Sequence, residues 1–168
     1  GAVAATLMTG DLKLGAIGTV THVDGDRIVA FGHPFLKRGT LDYFMHNSYI
    51  FTVVPSVNSA FKLGSIGSEI GKINQDRGAG IAGRTGIAPD AVPMSMRIVD
   101  TDTGETRRAD VRMIEDPQLT PVLAATGVFD MAQKTLDRGG RGTVKFTYTI
   151  TPQDPKLTSI TRTNMYYS

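Results

Sequence analysis

The sequence predicts a mainly β fold with one amphipathic helix late in the chain. Nineteen glycines and eight prolines are spread over 168 residues, so turns interrupt the chain throughout its length. Between these turns lie short runs rich in valine, isoleucine, threonine and aromatic residues, a composition typical of strands. A single run, after residue 120, repeats its apolar residues at helical rather than alternating spacing.

Six runs are predicted to be strands, and turn chemistry separates them. The first two flank "DGD" (24–26), where Asp-Gly favours the left-handed backbone of a tight hairpin. A later pair flanks "DTDTGE" (100–105), another hairpin signal. In order along the chain, the predicted strands are residues 16–23, 27–31, 49–55, 91–99, 106–114 and 143–150.

The helix is predicted near residues 121–138. Thr120 is suited to cap its N-terminus and Pro121 to occupy its first position. By length, residues 1–150 form one domain that includes this helix, and residues 151–168 form an extended C-terminal arm or a truncated join. The apolar face predicted for the helix consists of Val122, Ala125, Phe129, Ala132 and Leu136.

Composition excludes several classes of function. Lys and Arg number 18 against 16 Asp and Glu, and a net charge of +2 is too balanced to indicate nucleic acid or an anionic membrane as a partner. The absence of cysteine excludes disulfides, thiol catalysis and zinc–thiolate sites. No apolar run approaches the roughly 18 residues of a membrane span. The first residues also lack the charged segment of an intact signal peptide.

Two motifs suggest ligands but fit ordinary turns better. "GAGIAG" (78–83) matches the glycine pattern of dinucleotide-binding loops, yet Pro89 and Pro93 follow where that site needs a helix. A glycine-rich β turn, where backbones pack closely, is favoured instead. "DTDTGE" offers three carboxylates but is much shorter than a calcium-binding loop, so a plain hairpin is favoured. The sequence therefore predicts no cofactor and no metal.

The three histidines do not have the close spacing of a zinc motif. His22 lies within a predicted strand and His46 in the polar stretch "DYFMHNS", and both fit structural roles. His33, in "IVAFGHPFL" (28–36), lies between a glycine and a proline at a strand-to-loop junction. A rigid scaffold often presents functional groups at such a junction. His33 is therefore the candidate catalytic histidine.

A histidine base needs a nucleophile and an orienting acid. No serine lies in a recognisable nucleophile turn, and turn chemistry explains the nearest case, "GSIGS" (64–68). Acids are plentiful, so the residues alone leave the choice open. The candidate acids are Asp24, Asp26, Asp42, Asp76 and Asp116, and the serines considered are Ser48, Ser56, Ser59, Ser65, Ser68 and Ser95.

Three segments resemble the SpoIVB-type serine peptidases. "GTVTHVDGDRIVAFGHPFL" (18–36) is similar to the histidine segment of that family, and "IGKINQDRGAGIAGRTG" (70–86) to the glycine-rich stretch that follows it. "IEDPQLTPVLAATG" (114–127) resembles a third segment, an acid followed by a short helix. The resemblance spans most of residues 10–130.

The resemblance implies a chymotrypsin-like β-barrel architecture, complete or partial, in a bacterial serine endopeptidase of signalling or processing. It implies an extracytoplasmic location: periplasmic, cell-surface or intermembrane. His33 matches the general base and Asp116 the catalytic acid of the triad. The family's nucleophile lies in a "GMSGSP" segment, and the corresponding place in this chain reads "VFDMAQKTL" (128–136), without a serine. We therefore expect the nucleophile from a segment outside this chain, and no peptidase activity from the chain alone.

Two other functions remain open. The chain could be a non-catalytic β-barrel module for binding or assembly that has lost its serine, or a plain structural domain of a larger cell-surface protein. The peptidase hypothesis predicts a protein or peptide substrate. Strand runs with free edges, above all "TVKFTYTI" (143–150), predict association with another segment or chain that completes the barrel.

Overall fold

The computed structural model describes residues 1–55 and 61–167, and it is mainly β with one helix late in the chain, as the sequence predicts. Two units divide the chain: the first is Gly1–Thr135, and the second begins at Leu136. The strands of the first unit are β1 (Ala2–Gly10), β2 (Leu14–Asp24), β3 (Arg27–Ala30), β4 (Gly39–Val54), β5 (Phe61–Arg77), β6 (Gly80–Thr85), β7 (Ala91–Val99) and β8 (Thr106–Ile114).

Six strands of the first unit are paired in a ring, in the order β1, β2, β3, β6, β5, β4. The ring closes because β1 pairs antiparallel with β2 along one edge and with β4 along the other. It is not a clean barrel, since β1 pairs with β4 only through Thr6 and then with β8 from Met8 to Gly10. The hairpin of β7 and β8 therefore extends the sheet beyond the ring.

The β2–β3, β5–β6 and β7–β8 turns lie where the sequence predicts them. Gly25, in the β2–β3 turn, has a φ of 58°, and Gly104, in the β7–β8 turn, has a φ of 77°, so both use the left-handed backbone that glycine tolerates. "GAGIAG" (78–83) is the β5–β6 turn with the start of β6, which confirms the β-turn interpretation of that motif. In the β7–β8 turn the Asp100 carboxylate accepts the Asp102 amide at 3.0 Å, as expected of a plain hairpin.

The helix α1 (Leu119–Leu136) does not bury the predicted face. Val122 and Phe129 are 60% and 62% exposed, so this part of the prediction is wrong. The residues that α1 does bury follow one another at four-residue spacing. They are Leu123, Gly127, Met131 and Thr135.

The close approach of α1 to three methionines explains which face is buried. A Cβ built on Gly127 would lie 3.2 Å from Met94 Cε, 3.4 Å from Met8 Cε and 3.6 Å from Met96 Cε. Glycine leaves room for these flexible side chains, which fill irregular gaps well. A search for large apolar residues at helical spacing does not reveal a buried face that is centred on Gly127.

The second unit contains a hairpin of β9 (Thr143–Ile150) and β10 (Ile160–Tyr167). Strand β9 has the predicted bounds, whereas part of the predicted arm is the strand β10. Hydroxyl pairs join the strands on one face: Thr147 with Thr163 and Thr149 with Thr161, each at 2.9 Å.

Candidate functional site

The loop that follows β3 carries His33 and has an unusual backbone. Phe31 and Gly32 have φ values of 74° and 73°, and this region costs a residue with a side chain about 1 kcal/mol. The Phe31 amide donates to the Thr19 carbonyl at 2.9 Å, and its ring covers Gly18, where any Cβ would collide with it. Backbone strain that surrounding contacts hold in place is common at functional sites.

A buried carboxylate binds backbone amides of the same loop. Asp76, near the end of β5, is 1% exposed. Its two oxygens accept the amides of Phe35 at 2.8 Å and Leu36 at 2.7 Å. Hydrogen bonds to a charged acceptor are stronger than neutral ones, so Asp76 fixes the two backbone positions that follow His33 and Pro34. In the sequence alone, Asp76 is one candidate acid among several.

The His33 ring is exposed and its tautomer is set by the adjacent backbone. Its Nδ1 lies 2.8 Å from the Pro34 carbonyl oxygen, which can only accept, so Nδ1 carries the proton. Nε2 is then left with an open lone pair, the state a general base needs. His33 is exposed to solvent, whereas in a plain structural domain we would expect it to point into packed core.

A chain of aromatic rings joins the loop to the core. Phe31 contacts His33 at 5.6 Å between ring centroids and Phe35 at 6.0 Å, and Phe35 contacts Tyr43 at 6.0 Å. The pKa of Tyr43 is raised to about 12, chiefly by burial; the Arg38 charge opposes the rise, and the Asp76 and Asp116 charges add to it. Tyr43 therefore keeps its proton beneath the loop.

Asp116 lies at the start of α1 and caps the helix. Its carboxylate accepts the amides of Gln118 at 2.8 Å and Leu119 at 2.9 Å, and its carbonyl accepts the Thr120 amide at 2.9 Å. These bonds define an N-cap, and they place Pro117 at the first helical position. The prediction that Thr120 caps the helix is thus wrong. The Thr120 hydroxyl instead donates to the Ile114 carbonyl at 2.8 Å.

The Asp116 carboxylate also pairs with Arg38 at 2.9 Å. Burial alone would raise the pKa of Asp116, but the amides of Leu119 and Gln118 and the Arg38 charge outweigh it, so this pKa lies below its ordinary value. Asp116 is therefore ionised at neutral pH.

No hydrogen bond or ion pair joins the two residues predicted for the triad. His33 bonds to the Pro34 carbonyl, while Asp116 bonds to the helix amides and Arg38. No ion pair or hydrogen bond joins His33 to a carboxylate in residues 1–55 and 61–167. The role of Asp116 as the catalytic acid stays a prediction.

The described serines have other surroundings than His33. Ser95 donates to Asp110, and the Ser48 hydroxyl is buried without a partner among the described residues. No hydrogen bond joins a serine to His33 in the described part of the chain. Ser56 and Ser59 lie outside the described residues.

His46 is a buried structural histidine, in line with the sequence interpretation. Its Nδ1 lies 3.0 Å from Thr6 Oγ1 and its Nε2 2.9 Å from Thr9 Oγ1, both on β1. A neutral imidazole donates from one nitrogen and accepts at the other, so this pair of hydroxyls satisfies it. Burial lowers the pKa of His46, Lys13 and Arg112 lower it further, and Glu69 opposes them. His22 is exposed on β2.

We expect His46 to make the free energy of unfolding depend on pH. Its folded-state pKa lies below the ordinary 6.5, so below pH 6.5 the unfolded chain binds the proton first. Stability from this group is complete above pH 6.5 and falls as the pH drops towards the folded-state pKa. Urea unfolding at about pH 7.5 and about pH 5.5 measures the loss. His46→Gln should remove this slope and His22→Gln should keep it; equal slopes in all three proteins would contradict the assignment.

Substitution of Asp116 separates its capping role from a catalytic one. Asn caps helices as well as Asp, so Asp116→Asn should cost less stability than Asp116→Ala, which we expect to cost about 1–2 kcal/mol. A catalytic acid tolerates neither change, because Asn favours the wrong histidine tautomer. Thermal unfolding and fluorophosphonate labelling of the full gene product report the two roles. Labelling that survives in Asp116→Asn would contradict a triad acid at Asp116.

Comparison with protein-family models, with curated proteins and with solved structures finds no match for this chain in any of the three. Among the described residues, no helix has both the length and the apolar character needed to cross a membrane. Within the same residues, no group of three or more His, Asp or Glu is placed to hold a metal ion.

Proposed function

We propose that this chain carries the histidine base of a SpoIVB-type serine endopeptidase whose serine lies outside residues 1–168. The observation that supports this most is His33 itself: exposed, protonated at Nδ1 and open at Nε2. Its loop is held by the buried Asp76 carboxylate, against the strain of a positive φ at Phe31. The proposal also rests on the three segments that resemble this family.

The proposed reaction is acyl transfer to serine and then to water. His33 Nε2 takes the serine proton as the serine oxygen bonds to the peptide carbonyl carbon. The same nitrogen returns the proton to the amine as the carbon–nitrogen bond breaks, and a water molecule then releases the acyl group. In this arrangement the Pro34 carbonyl orients the ring, while the oxyanion donors come with the serine segment.

Fluorophosphonate labelling tests the proposal. The isolated 168-residue chain should show no labelling, and labelling of it would contradict a nucleophile outside the chain. The full gene product, with its "GMSGSP"-like segment, should be labelled, and His33→Ala should reduce the rate by about 1,000-fold. His22→Ala is the matched control, since His22 is also exposed and lies on β2 of the six-stranded ring. A gene product without that segment, or labelling indifferent to His33→Ala, would overturn the proposal.

A non-catalytic binding or assembly module is the second candidate, and exposed apolar side chains favour it. An isolated two-stranded hairpin is only marginally stable in water. Because β9 and β10 expose most of their residues, a covering surface would stabilise this hairpin. The β4–β5 hairpin also exposes apolar residues, namely Tyr49, Phe51, Val53, Phe61 and Leu63. In this function another segment or chain covers these surfaces. Light scattering that shows a strict monomer, with no partner bound by the full gene product, would count against it.

A further inference from the structure

The far half of the β4–β5 hairpin extends beyond the six-stranded ring. Strand β1 pairs with β4 only over residues 44–47, and β6 pairs with β5 only over residues 71–77. Beyond these points, residues 48–54 and 61–66 pair with each other and with no other described strand. Two faces of this part of the hairpin therefore have to be accounted for.

One face of the far half is turned towards β2. Lys62 Nζ donates to Thr19 Oγ1, and a Cβ built on Gly64 would lie 3.3 Å from Ile17 Cδ1. Because side chains alternate along a strand and paired residues share a face, the neighbours of Lys62 and Gly64 point the other way. The outer face defined in this way consists of Tyr49, Thr52, Val54, Phe61, Leu63 and Ser65.

The outer face exposes large apolar side chains. Tyr49 is 64% exposed, Phe61 55% and Leu63 51%. Phe51, which lies in a bulge of β4 beside this face, is 69% exposed. Since an aromatic side chain can bury about 150–250 Å², these four side chains together offer roughly 450 Å² of apolar surface. A contiguous apolar patch of this size often marks an interaction site.

The outer face carries no charge. Lys62 is the only charged residue in 48–54 and 61–67, and it belongs to the opposite face, where it is bonded to Thr19. A two-fold axis brings a surface onto a copy of itself, so a face without charges meets no like charge. Interfaces between identical chains are also more apolar than those of transient partners. Two such faces total about 900 Å², close to the roughly 1,000 Å² of a specific interface.

We propose that the outer face binds the same face of a second copy of this chain. The two hairpins pack face to face, about 10 Å apart, as sheets do in a sandwich. Tyr49, Phe51, Phe61 and Leu63 of each copy are thereby removed from water. The pairing gives a partner to the binding or assembly module that is the second candidate function, and it rests on that candidate. It requires no peptidase activity.

Sedimentation of the 168-residue chain tests the proposal and should show a dimer that depends on concentration. Phe51→Asp should raise the dissociation constant at least about 100-fold, because each dimer loses two buried rings and gains two buried charges. Phe129→Asp is the matched control, since Phe129 is 62% exposed on α1 and lies outside the hairpin. Both positions are exposed, so both proteins should fold. A strict monomer at about 1 mM, or a dimer that Phe51→Asp leaves intact, would overturn the proposal.

A spin label locates the contact. The chain has no cysteine, so Ser65→Cys supplies a single thiol for the label. Mixed with an isotope-labelled copy, this protein should broaden the amide resonances of residues 49–54 and 61–65 in that copy. A label on Asp90→Cys, at an exposed position outside the hairpin, should leave them sharp. Broadening by both labels or by neither contradicts the assigned face.

The full gene product supplies the last test. Slow hydrogen exchange throughout residues 49–54 in a monomeric full gene product would show that a segment of the same polypeptide covers the outer face, and would exclude the second copy. Slow exchange that appears only in its dimer would support the pairing. Fluorophosphonate labelling plays no part in these measurements, so their failure leaves the peptidase proposal to its own test.

Discussion

Replacement of Asp76 by Asn is expected to lower the free energy of unfolding by about 3 kcal/mol, since two hydrogen bonds to a buried charge are affected. The amides of Phe35 and Leu36 both donate to the Asp76 carboxylate. Asparagine keeps one acceptor oxygen but presents its own N–H groups to the second amide. One donor is thus left buried and unsatisfied. Urea unfolding measures the loss.

A local measurement ties the same substitution to the histidine loop. Hydrogen exchange at Phe35 and Leu36 should accelerate in Asp76→Asn more than exchange elsewhere in the ring, because Asp76 holds the loop directly. The control is Asp90→Asn, an exposed carboxylate, which should cost under about 0.5 kcal/mol. Uniform acceleration throughout the ring would show general destabilisation and would contradict a specific anchor.

The sequence predicts best those strands that have turn signals at both ends. Strands β7, β8 and β9 have the predicted limits, because the Thr103-Gly104 turn, Gly142 and proline residues stand near their ends. Strands β1, β5 and β6 are not predicted from the sequence. They are rich in glycine and alanine or carry charge, and their order comes from pairing with distant strands. The closed ring depends on those pairings and could not be inferred from local pattern.

The candidate site, too, is predicted only in part from the sequence. Its histidine is visible in the sequence because "FGHPFL" is locally unusual. Its anchor is not visible, since Asp76 lies 40 and 41 residues from the amides that it binds. The cap at Asp116 could have been found: Asp followed by Pro, before a helical run, is a start signal as good as Thr120-Pro121. Both capping sites were available, and hydrogen bonds select Asp116.

The second large effect is expected at Gly83, on β6 in the glycine-rich stretch. A Cβ there would overlap the Lys72 carbonyl oxygen and would lie 2.6 Å from Met45 Cε and 2.8 Å from Ile73 Cα. Two of these neighbours are backbone atoms of β5, so β5 and β6 must move apart to admit a methyl group. We expect Gly83→Ala to cost about 3 kcal/mol, as overpacking in a tight core does.

Gly78 provides the matched control because it lies in the same motif. A Cβ at Gly78 would have nothing within 4 Å, and Gly78 is exposed in the β5–β6 turn. Gly78→Ala should therefore stay within about 0.5 kcal/mol of the parent in urea unfolding. A nucleotide-binding loop would give a different result, since there the first glycine is required by the tight turn itself. If both substitutions cost the same, close contact of the β5 and β6 backbones is not the reason for the glycine at position 83.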